Sequence, residues 1–388
     1  MSQTIHILPK TLAAKIAAGE VVQRPASVVK ELIENSIDAH ADSTQIIIKE
    51  GGKSFIQVVD NGDGMDSEDA TIAFERHATS KISTDTDLED IRTLGFRGEA
   101  LAAIAAISQI ELRTRQRSSE IATKVRNEGG SIIEVTQDSS TPGTSVTVKN
   151  LFYNTPARRN FLKSNSTEFR HIFDVVQRFA IAYPEFTIQF INDGETILNL
   201  RPVIRFERIR DIFSQKVAES LIEFNEESDY VSIGGFLGKP DFSRRVRVEQ
   251  FLYLNNRSIL SRSINHAVFQ GYENLLERGS FPFFILFLTI DPKKVDVNVH
   301  PSKMEVKFAD ESSIYRSVFS SVRRALSKHD LIPVVGTQVQ GSLKSEKDLN
   351  IQNQIKSISP QITPWRDLFK RDQSKSTTEI PSTSQTDQ

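Results

Sequence analysis

Arg24-Pro-Ala-Ser-Val-Val-Lys-Glu-Leu-Ile-Glu-Asn-Ser-Ile-Asp-Ala39 is the stretch on which the reading of the chain turns. Pro25 and Ser27 suit the first turn of a helix, where a missing amide costs nothing and the fixed φ of proline is already helical. At about 100° per residue, Val28, Val29, Leu32, Ile33 and Ile37 form one apolar stripe. Glu31, Glu34, Asn35 and Asp38 stand at i, i+3, i+4 and i+7, so they share the opposite face. A patch of oxygen-bearing side chains can hold a hard cation such as Mg²⁺, which keeps several waters and needs few protein ligands. A carboxylate one turn away can act as general base on an attacking water. Taken alone, the face reads first as a solvated stripe, because charged stripes are common on helices.

Downstream, Thr44–Glu50 and Ser54–Val59 read as two strands joined through Gly51-Gly52, a hairpin. The second strand runs into Asp60-Asn61-Gly62-Asp63-Gly64-Met65. A buried carboxylate at a strand end can accept a hydrogen bond from an exocyclic amine, and the glycines allow a ring to approach the backbone closely. The same residues also read as a polar Gly turn; a calcium loop is excluded by the irregular Asp spacing and the missing closing Glu. Further on come Arg76-His77-Ala78-Thr79-Ser80-Lys81 and Leu94-Gly95-Phe96-Arg97-Gly98-Glu99-Ala100-Leu101, the latter opening an apolar helix from Leu101 to Ile107. Glycines ahead of a helix N-terminus expose amides to a phosphate, and such loops also act as lids. An ordinary loop fits that stretch as well. Pro142-Gly143-Thr144-Ser145-Val146 precedes another strand and is, by itself, a turn.

Composition bounds these readings. The chain has 388 residues, enough for two domains with connectors, and 48 Lys and Arg against 50 Asp and Glu. That balance carries no global signal for nucleic acid, so contact with DNA must come from local patches. No cysteine is present, which excludes disulfides and thiolate metal sites and fits a reducing compartment. Met1 to Lys10 lacks the pattern of a secretory signal. The longest apolar stretch, Phe281 to Ile290, is interrupted by Pro282 and Thr289 and is about half the length a membrane helix needs. No membrane partner is expected, and the expected location is cytoplasmic, with nucleoid association if the source is a bacterium.

The predicted organisation is α+β in three parts. Residues 1–204 alternate helical and strand patterns with Gly-rich loops. Residues 205–334 carry strands at Tyr230–Leu237, Arg247–Leu254, Phe283–Ile290, Val295–Val299 and Met304–Phe308, with helical segments at Ser261–Glu277 and Ser312–Lys328. Residues 335–388 are rich in Ser, Gln, Thr, Asp and Lys; they cannot bury enough apolar surface to offset their ordering entropy, and a disordered linker is expected.

Taken together, Glu31…Asn35, Asp60-x-Gly62-x-Gly64, Gly95-Phe-Arg-Gly98 and Gly143-Thr144 resemble the Bergerat (GHKL) ATP-binding fold of gyrase-type topoisomerases, Hsp90 chaperones, histidine kinases and MutL. Longer strings resemble the MutL family alone: Ile16-Ala-Ala-Gly-Glu-Val-Val22, Arg24-Pro-Ala-Ser-Val-Val-Lys-Glu31, Arg76-His-Ala-Thr-Ser-Lys81, Gly95-Phe-Arg-Gly-Glu-Ala-Leu101, Leu151-Phe-Tyr-Asn-Thr-Pro-Ala-Arg-Arg159 and Val295-Asp-Val-Asn-Val-His-Pro-Ser-Lys303. The match runs from about Ile5 to Phe308. It implies a two-layer α/β sandwich with a mostly antiparallel sheet, then a ribosomal-protein S5 domain 2-like α+β domain with a left-handed crossover.

The resemblance also implies roles. Glu31 would be the general base, Asn35 the Mg²⁺ ligand, and Asp60 the adenine hook, with Gly62, Gly64, Met65 and Thr144 around it. Leu94, Gly95, Phe96, Arg97, Gly98, Glu99, Ala100 and Leu101 would line the phosphates of ATP as part of a lid, with Thr79, Ser80 and Lys81 nearby. Lys303 would reach the γ-phosphate from the second domain; a cation there neutralises charge on the transferred group. His300 reads as a packed or capping residue, and the histidines show no metal spacing. ATP would order the lid and the arm Ile5–Ala14, pair two protomers and couple MutS to repair, with slow hydrolysis releasing them.

Basic clusters at Arg113/Arg115/Arg117, Arg158/Arg159/Lys163, Arg205/Arg208/Arg210, Arg244/Arg245/Arg247 and Arg257/Arg262 suit sequence-independent DNA binding, though each also fits a solvated face. Arg257 lies where the family places a DNA-contacting arginine, and Arg158 and Arg159 are further candidates. Longer MutL proteins continue past a linker into a dimerisation domain. The chain is therefore expected to be a portion of one, with no endonuclease of its own. Among rivals, a histidine kinase would need a phospho-acceptor helix ahead of Ile5, an Hsp90-type chaperone a longer middle domain, and a pure binding module an idle Glu31.

Overall fold

The structure is a computed structural model and describes residues 7–84, 87, 93–228, 230–245, 249–296 and 306–329. Lys303, His300, Arg247 and the stretch 335–388 lie outside the described residues, as do residues 5 and 6 of the N-terminal arm. No helix among the described residues is long and apolar enough to cross a membrane.

The first half opens with α1 (Lys10–Val21) and α2 (Pro25–Asp38), followed by β1 (Ser43–Lys49) and β2 (Phe55–Asp60). The short helices α3 (Ser67–Ile72) and α4 (Ala100–Ala106) precede β3 (Gln109–Arg115), β4 (Ala122–Glu128), β5 (Ser131–Asp138) and β6 (Gly143–Lys149). Then come α5 (Pro156–Phe161), α6 (Asn165–Ala182), β7 (Thr187–Asn192) and β8 (Glu195–Leu200). The strands form one eight-stranded sheet in the order β5-β4-β3-β6-β2-β1-β7-β8. Only the β1–β7 pairing is parallel. The hairpin expected around Gly51-Gly52 is present, and Gly51 at φ 65° and Gly52 at φ 80° make its turn.

Pro25 stands at the first position of α2, and the apolar stripe buries Val28, Val29, Leu32 and Ile33 to 2 % exposure or less. Those side chains meet Ile46 and Ile48 of β1 and Ile56 and Val58 of β2, one face of each alternating strand. The opposite face of α2 is not a solvated stripe. Glu34 is 6 % exposed and holds Lys30 at 2.7 Å, and the Asp38 side chain is 4 % exposed.

The second half begins with α7 (Arg205–Phe213) and α8 (Gln215–Glu219). Next come β9 (Leu221–Glu227), β10 (Ser232–Gly238), β11 (Gln250–Leu254) and β12 (Arg257–Ser258), then α9 (Arg262–Gly271) and β13 (Phe284–Thr289). The two-residue strands β14 (Val295–Asp296) and β15 (Lys307–Phe308) pair with each other, and α10 (Glu311–Lys328) ends the described chain. The main sheet has the order β12-β11-β13-β10-β9, with β11 and β13 parallel and joined through α9. β9 and β12 were not legible as strands, and α9 stops six residues short of the expected Glu277: Tyr272 caps it and Asn274 turns to φ 67°.

This sheet is covered on both sides, which is why β13 reads as a continuous apolar run. Leu252, Leu254, Phe284, Leu286 and Leu288 pack with α9 and α10. Phe236, Phe251, Tyr253, Phe283 and Ile285 join the core of the first half. Arg208 of α7 is fully buried at the junction, and its Nη2 donates to the carbonyls of Pro184, Phe186 and Arg201 at 2.7, 3.0 and 2.9 Å.

Candidate nucleotide site

The sheet register builds one end of the site. Asp60 and Thr144 are paired residues of β2 and β6. Asp60 Oδ1 accepts from the amides of Gly62 at 3.0 Å and Thr144 at 3.1 Å, and Oδ2 accepts from Ser36 Oγ at 2.9 Å. Burial pushes the Asp60 carboxyl above the usual range; those three hydrogen bonds pull it down and Asp63 adds to the rise. The turn after β2 is pressed against its surroundings. A Cβ on Gly62 would stand 2.5 Å from the Ala39 carbonyl, and one on Gly64, at φ 70°, would stand 2.1 Å from the Arg115 carbonyl. Met65 N donates to Thr114 Oγ1 at 2.8 Å, and that hydroxyl lies 3.0 Å from Thr144 Oγ1. Asp60, Gly62, Gly64, Met65 and Thr144 thus converge, with Ser36 and Thr114 added by the structure.

The other end is assembled from α2 and two loops. Asn35 Oδ1 accepts from Lys81 Nζ at 3.0 Å, and the same ammonium meets Asp38 Oδ2 at 2.5 Å. Asp38 also accepts from the amide of Leu94 on Oδ1 and that of Gly95 on Oδ2, both at 2.8 Å. Glu31 lies one turn before Asn35, with Lys30 Nζ 3.1 Å from its carboxylate. Thr79 Oγ1 takes the Lys81 amide at 3.2 Å, and Ser80 is exposed. His77 N donates to the Gly98 carbonyl at 2.9 Å, joining the two loops; a Cβ on Gly98 would stand 2.4 Å from the Ala78 carbonyl. His77 also faces Glu99 across 3.6 Å. Leu94 and Phe96 are buried, Arg97 stacks on the Phe96 ring, and Ala100 and Leu101 begin α4 half-buried.

The donor set suits a hard cation held largely by something other than protein. Among the described residues no group of three or more His, Cys, Asp or Glu could hold a metal ion. Yet the Lys81 ammonium already sits between the Asn35 and Asp38 oxygens, so this corner accommodates positive charge. A separate cavity of about 630 Å³ lies at Gln45, Asn61, Arg117, Gln189 and Asn199. Asp60 touches it, but Glu31, Asn35, Lys81 and Gly95 do not, so it is not the candidate site.

The basic clusters separate. Arg113 is paired with Glu111 and Asp138, Arg244 with Glu249, Arg208 is buried, and Arg205 lies 4.0 Å from the Phe287 ring centroid. Arg158 packs its guanidinium onto Gly19 of α1, whereas Arg159 beside it is exposed. Arg257 is half-buried and donates to the Thr93 carbonyl. Sequence reasoning missed Ser36, Thr114, Lys30 and the linking role of Asp38. Only Asp38 left a trace there, as a further oxygen on the Glu31 face.

Two family models match the chain: a histidine kinase-, DNA gyrase B- and HSP90-like ATPase over residues 23–144, and the C-terminal domain of DNA mismatch repair protein over residues 209–327. MutL of Chlorobium phaeobacteroides strain BS1 is 50 % identical over 329 residues, 85 % of this chain and 53 % of that protein. MutL of Christiangramia forsetii is 46 % identical over 349 residues, 90 % of this chain and 56 % of that protein. The chain thus spans about half the length of these relatives. Among solved structures, the N-terminal domain of a DNA repair protein aligns with TM-score 0.72 at 27 % identity, covering 82 % of this chain and 99 % of that one. The Aquifex aeolicus MutL ATPase domain complexed with ADP aligns with TM-score 0.52 at 25 % identity, covering 70 % and 94 %. With a helix-on-sheet first half, an α+β second half and this agreement along most of its described length, the chain belongs to the MutL family of DNA mismatch repair proteins.

Proposed function

We propose that the chain binds ATP with Mg²⁺ and hydrolyses it slowly, and that the bound nucleotide drives pairing of two protomers in mismatch repair. The observation that carries this reading is the joining of two ends through α2, whose Ser36 bonds the amide-oriented Asp60 carboxylate while its neighbours Asn35 and Asp38, with Glu31 one turn earlier, make an oxygen-lined corner. The ADP bound to the Aquifex aeolicus domain supports it.

Asp60 Oδ2 accepts the adenine amine in this reading, with the Gly62–Gly64 turn beside the base. Glu31 takes the proton of the attacking water, with Lys30 Nζ beside its carboxylate. Asn35 would hold Mg²⁺ together with phosphates and waters, and the metal would supply charge neutralisation at the triphosphate. Lys81 moves off Asn35 to meet that triphosphate. Gly95, Phe96, Arg97 and Gly98 close over the phosphates as a lid, and Lys303 adds a second cation from the other half.

Pairing uses α1 and the residues just before it: Leu8, Leu12 and Ile16 are 40, 45 and 50 % exposed at four-residue spacing and offer an apolar surface to a second copy. DNA is held without base reading by exposed cations such as Arg159 and by Arg257. MutS is the partner whose mismatch signal this cycle relays.

Phosphate release from ATP and Mg²⁺, measured with and without DNA, tests the reading. Release that DNA accelerates is expected. A self-labelled protein would make the chain a kinase, and silence in the presence of bound ATP would make it a binding module.

A further inference from the structure

Three consecutive residues, Thr93 to Gly95, lead into the phosphate-facing stretch, and they are gripped from two sides. On one side the Asp38 carboxylate, 4 % exposed, takes the Leu94 and Gly95 amides at 2.8 Å each. On the other, the Arg257 guanidinium donates to the Thr93 carbonyl. Thr93 Oγ1 closes the turn between them by donating to the Gly95 carbonyl at 2.7 Å. Asp38 belongs to α2 in the first half and Arg257 to β12 in the second, so the two halves of the chain meet on one short loop.

Arg257 stands on a fixed base. β12 pairs with Leu254 and Tyr253 of β11, and its Ser258 accepts from Arg178 of α6 at 3.2 Å. Arg178 holds Asp174 at 2.9 Å, and the fully buried Tyr253 donates its hydroxyl to the Arg178 carbonyl at 3.0 Å. An arginine placed this way transmits the position of the second half instead of wandering over a surface. Asp38 is equally committed, because removing it would leave two amides beside the buried Leu94 without their charged acceptor.

We propose that Asp38 and Arg257 form a clasp on Thr93–Gly95 through which the second half of the chain sets the position of the phosphate-facing loop, both acting as positioning residues in ATP turnover. The turnover part rests on the proposed ATPase reading; the clasp does not. Holding the loop fixes the Gly95 amide relative to Asn35 on the neighbouring turn of α2. A misplacement of about 1 Å at such a site costs on the order of 100-fold in rate.

The test is hydrogen exchange by mass spectrometry on the nucleotide-free protein, over a peptide spanning residues 93–101. Arg257→Ala and Asp38→Asn are each expected to raise exchange there ~10-fold or more, the asparagine because its amide would face one of the two N–H donors. Exchange at Gly62 and Thr144 should stay as in the parent. Arg257→Lys, which keeps one donor for the single carbonyl, should restore most of the protection. Unchanged exchange over 93–101 in Arg257→Ala overturns the clasp, and so does a rise spread evenly over the first half, which marks a general packing role. In steady state without DNA, Arg257→Ala should lower kcat ~10-fold or more while KM for ATP shifts less. A parent protein that releases no phosphate refutes the ATPase reading and leaves the exchange result to decide the clasp.

Discussion

The two ends of the candidate site are built by different means. At the Asp60 end, the β2–β6 register brings Thr144 opposite the carboxylate, and backbone amides from the sheet and its turn hold it. That end is complete once the sheet forms and α2 brings Ser36 Oγ to the carboxylate. At the Lys81 end, two loops lie over α2 and are held by side chains, one of which, Arg257, comes from 164 residues further along. A sheet-built subsite is preorganised for recognition, whereas a loop held by a few polar contacts can change its partners when a ligand arrives. Under the proposed function, recognition of the base falls to the rigid end and control of turnover to the clasped one.

The largest expected effect tests whether chemistry belongs to the second end. Glu31→Ala should lower phosphate release by about 100- to 10,000-fold while ATP binding, followed by equilibrium dialysis, is kept. Unchanged turnover would remove Glu31 as the base.

The next tests the first end alone. In Asp60→Asn, Oδ1 still accepts from Gly62 and Thr144, and the new amide can donate to Ser36 Oγ, so the fold is kept. It cannot accept from the adenine amine. Nucleotide affinity should fall about 10- to 100-fold, or roughly 1.4–2.8 kcal/mol. The pH response gives a second readout. The folded chain holds the Asp60 proton to higher pH than the unfolded chain does, so the associated stability is full below the unfolded pKa and is lost as pH rises through the folded one. Asp60→Asn should therefore melt above the parent at neutral pH, and the advantage should vanish as pH falls below the ordinary Asp range. A variant that melts lower at neutral pH would show that the charge stabilises this end.

A smaller loss should follow Gly64→Ala, because its Cβ would meet the Arg115 carbonyl at 2.1 Å and its φ of 70° is strained for alanine. About 1–3 kcal/mol of stability should disappear in urea titration. Retained stability would mean that the turn after β2 yields, and the first end would not be rigid.

The smallest effect concerns DNA. Arg159→Ala should weaken binding uniformly across sequences and reduce the slope of log K against log salt by about one. Arg158→Ala should leave that slope alone, because its guanidinium is spent on Gly19.

Much of this was legible without coordinates. The α2 stripe, the Gly51-Gly52 hairpin and the strand ending at Asp60 rest on periodicity and turn chemistry, and these act over a few residues. Ser36 and Thr114 were not legible as parts of the Asp60 site, because a lone hydroxyl in a helix or strand has no local signature. Glu34 reads as solvated on a helical wheel but is buried, since a wheel shows relative direction and not what covers each face. β9 was missed because its alternating Glu and Asn residues resemble a loop until β10 pairs with them.

The sequence by itself determined the family, the α2 stripe, the Gly51-Gly52 hairpin and the strand running into Asp60, because short-range patterning and long matching strings are local properties of the chain. Only the tertiary structure decided that Arg208 is buried, that Arg158 packs on Gly19, and that Arg257 holds Thr93. Each depends on segments far apart in sequence being brought together when both sheets bury their apolar faces, and no local pattern encodes which exposed-looking cation will then find a carbonyl.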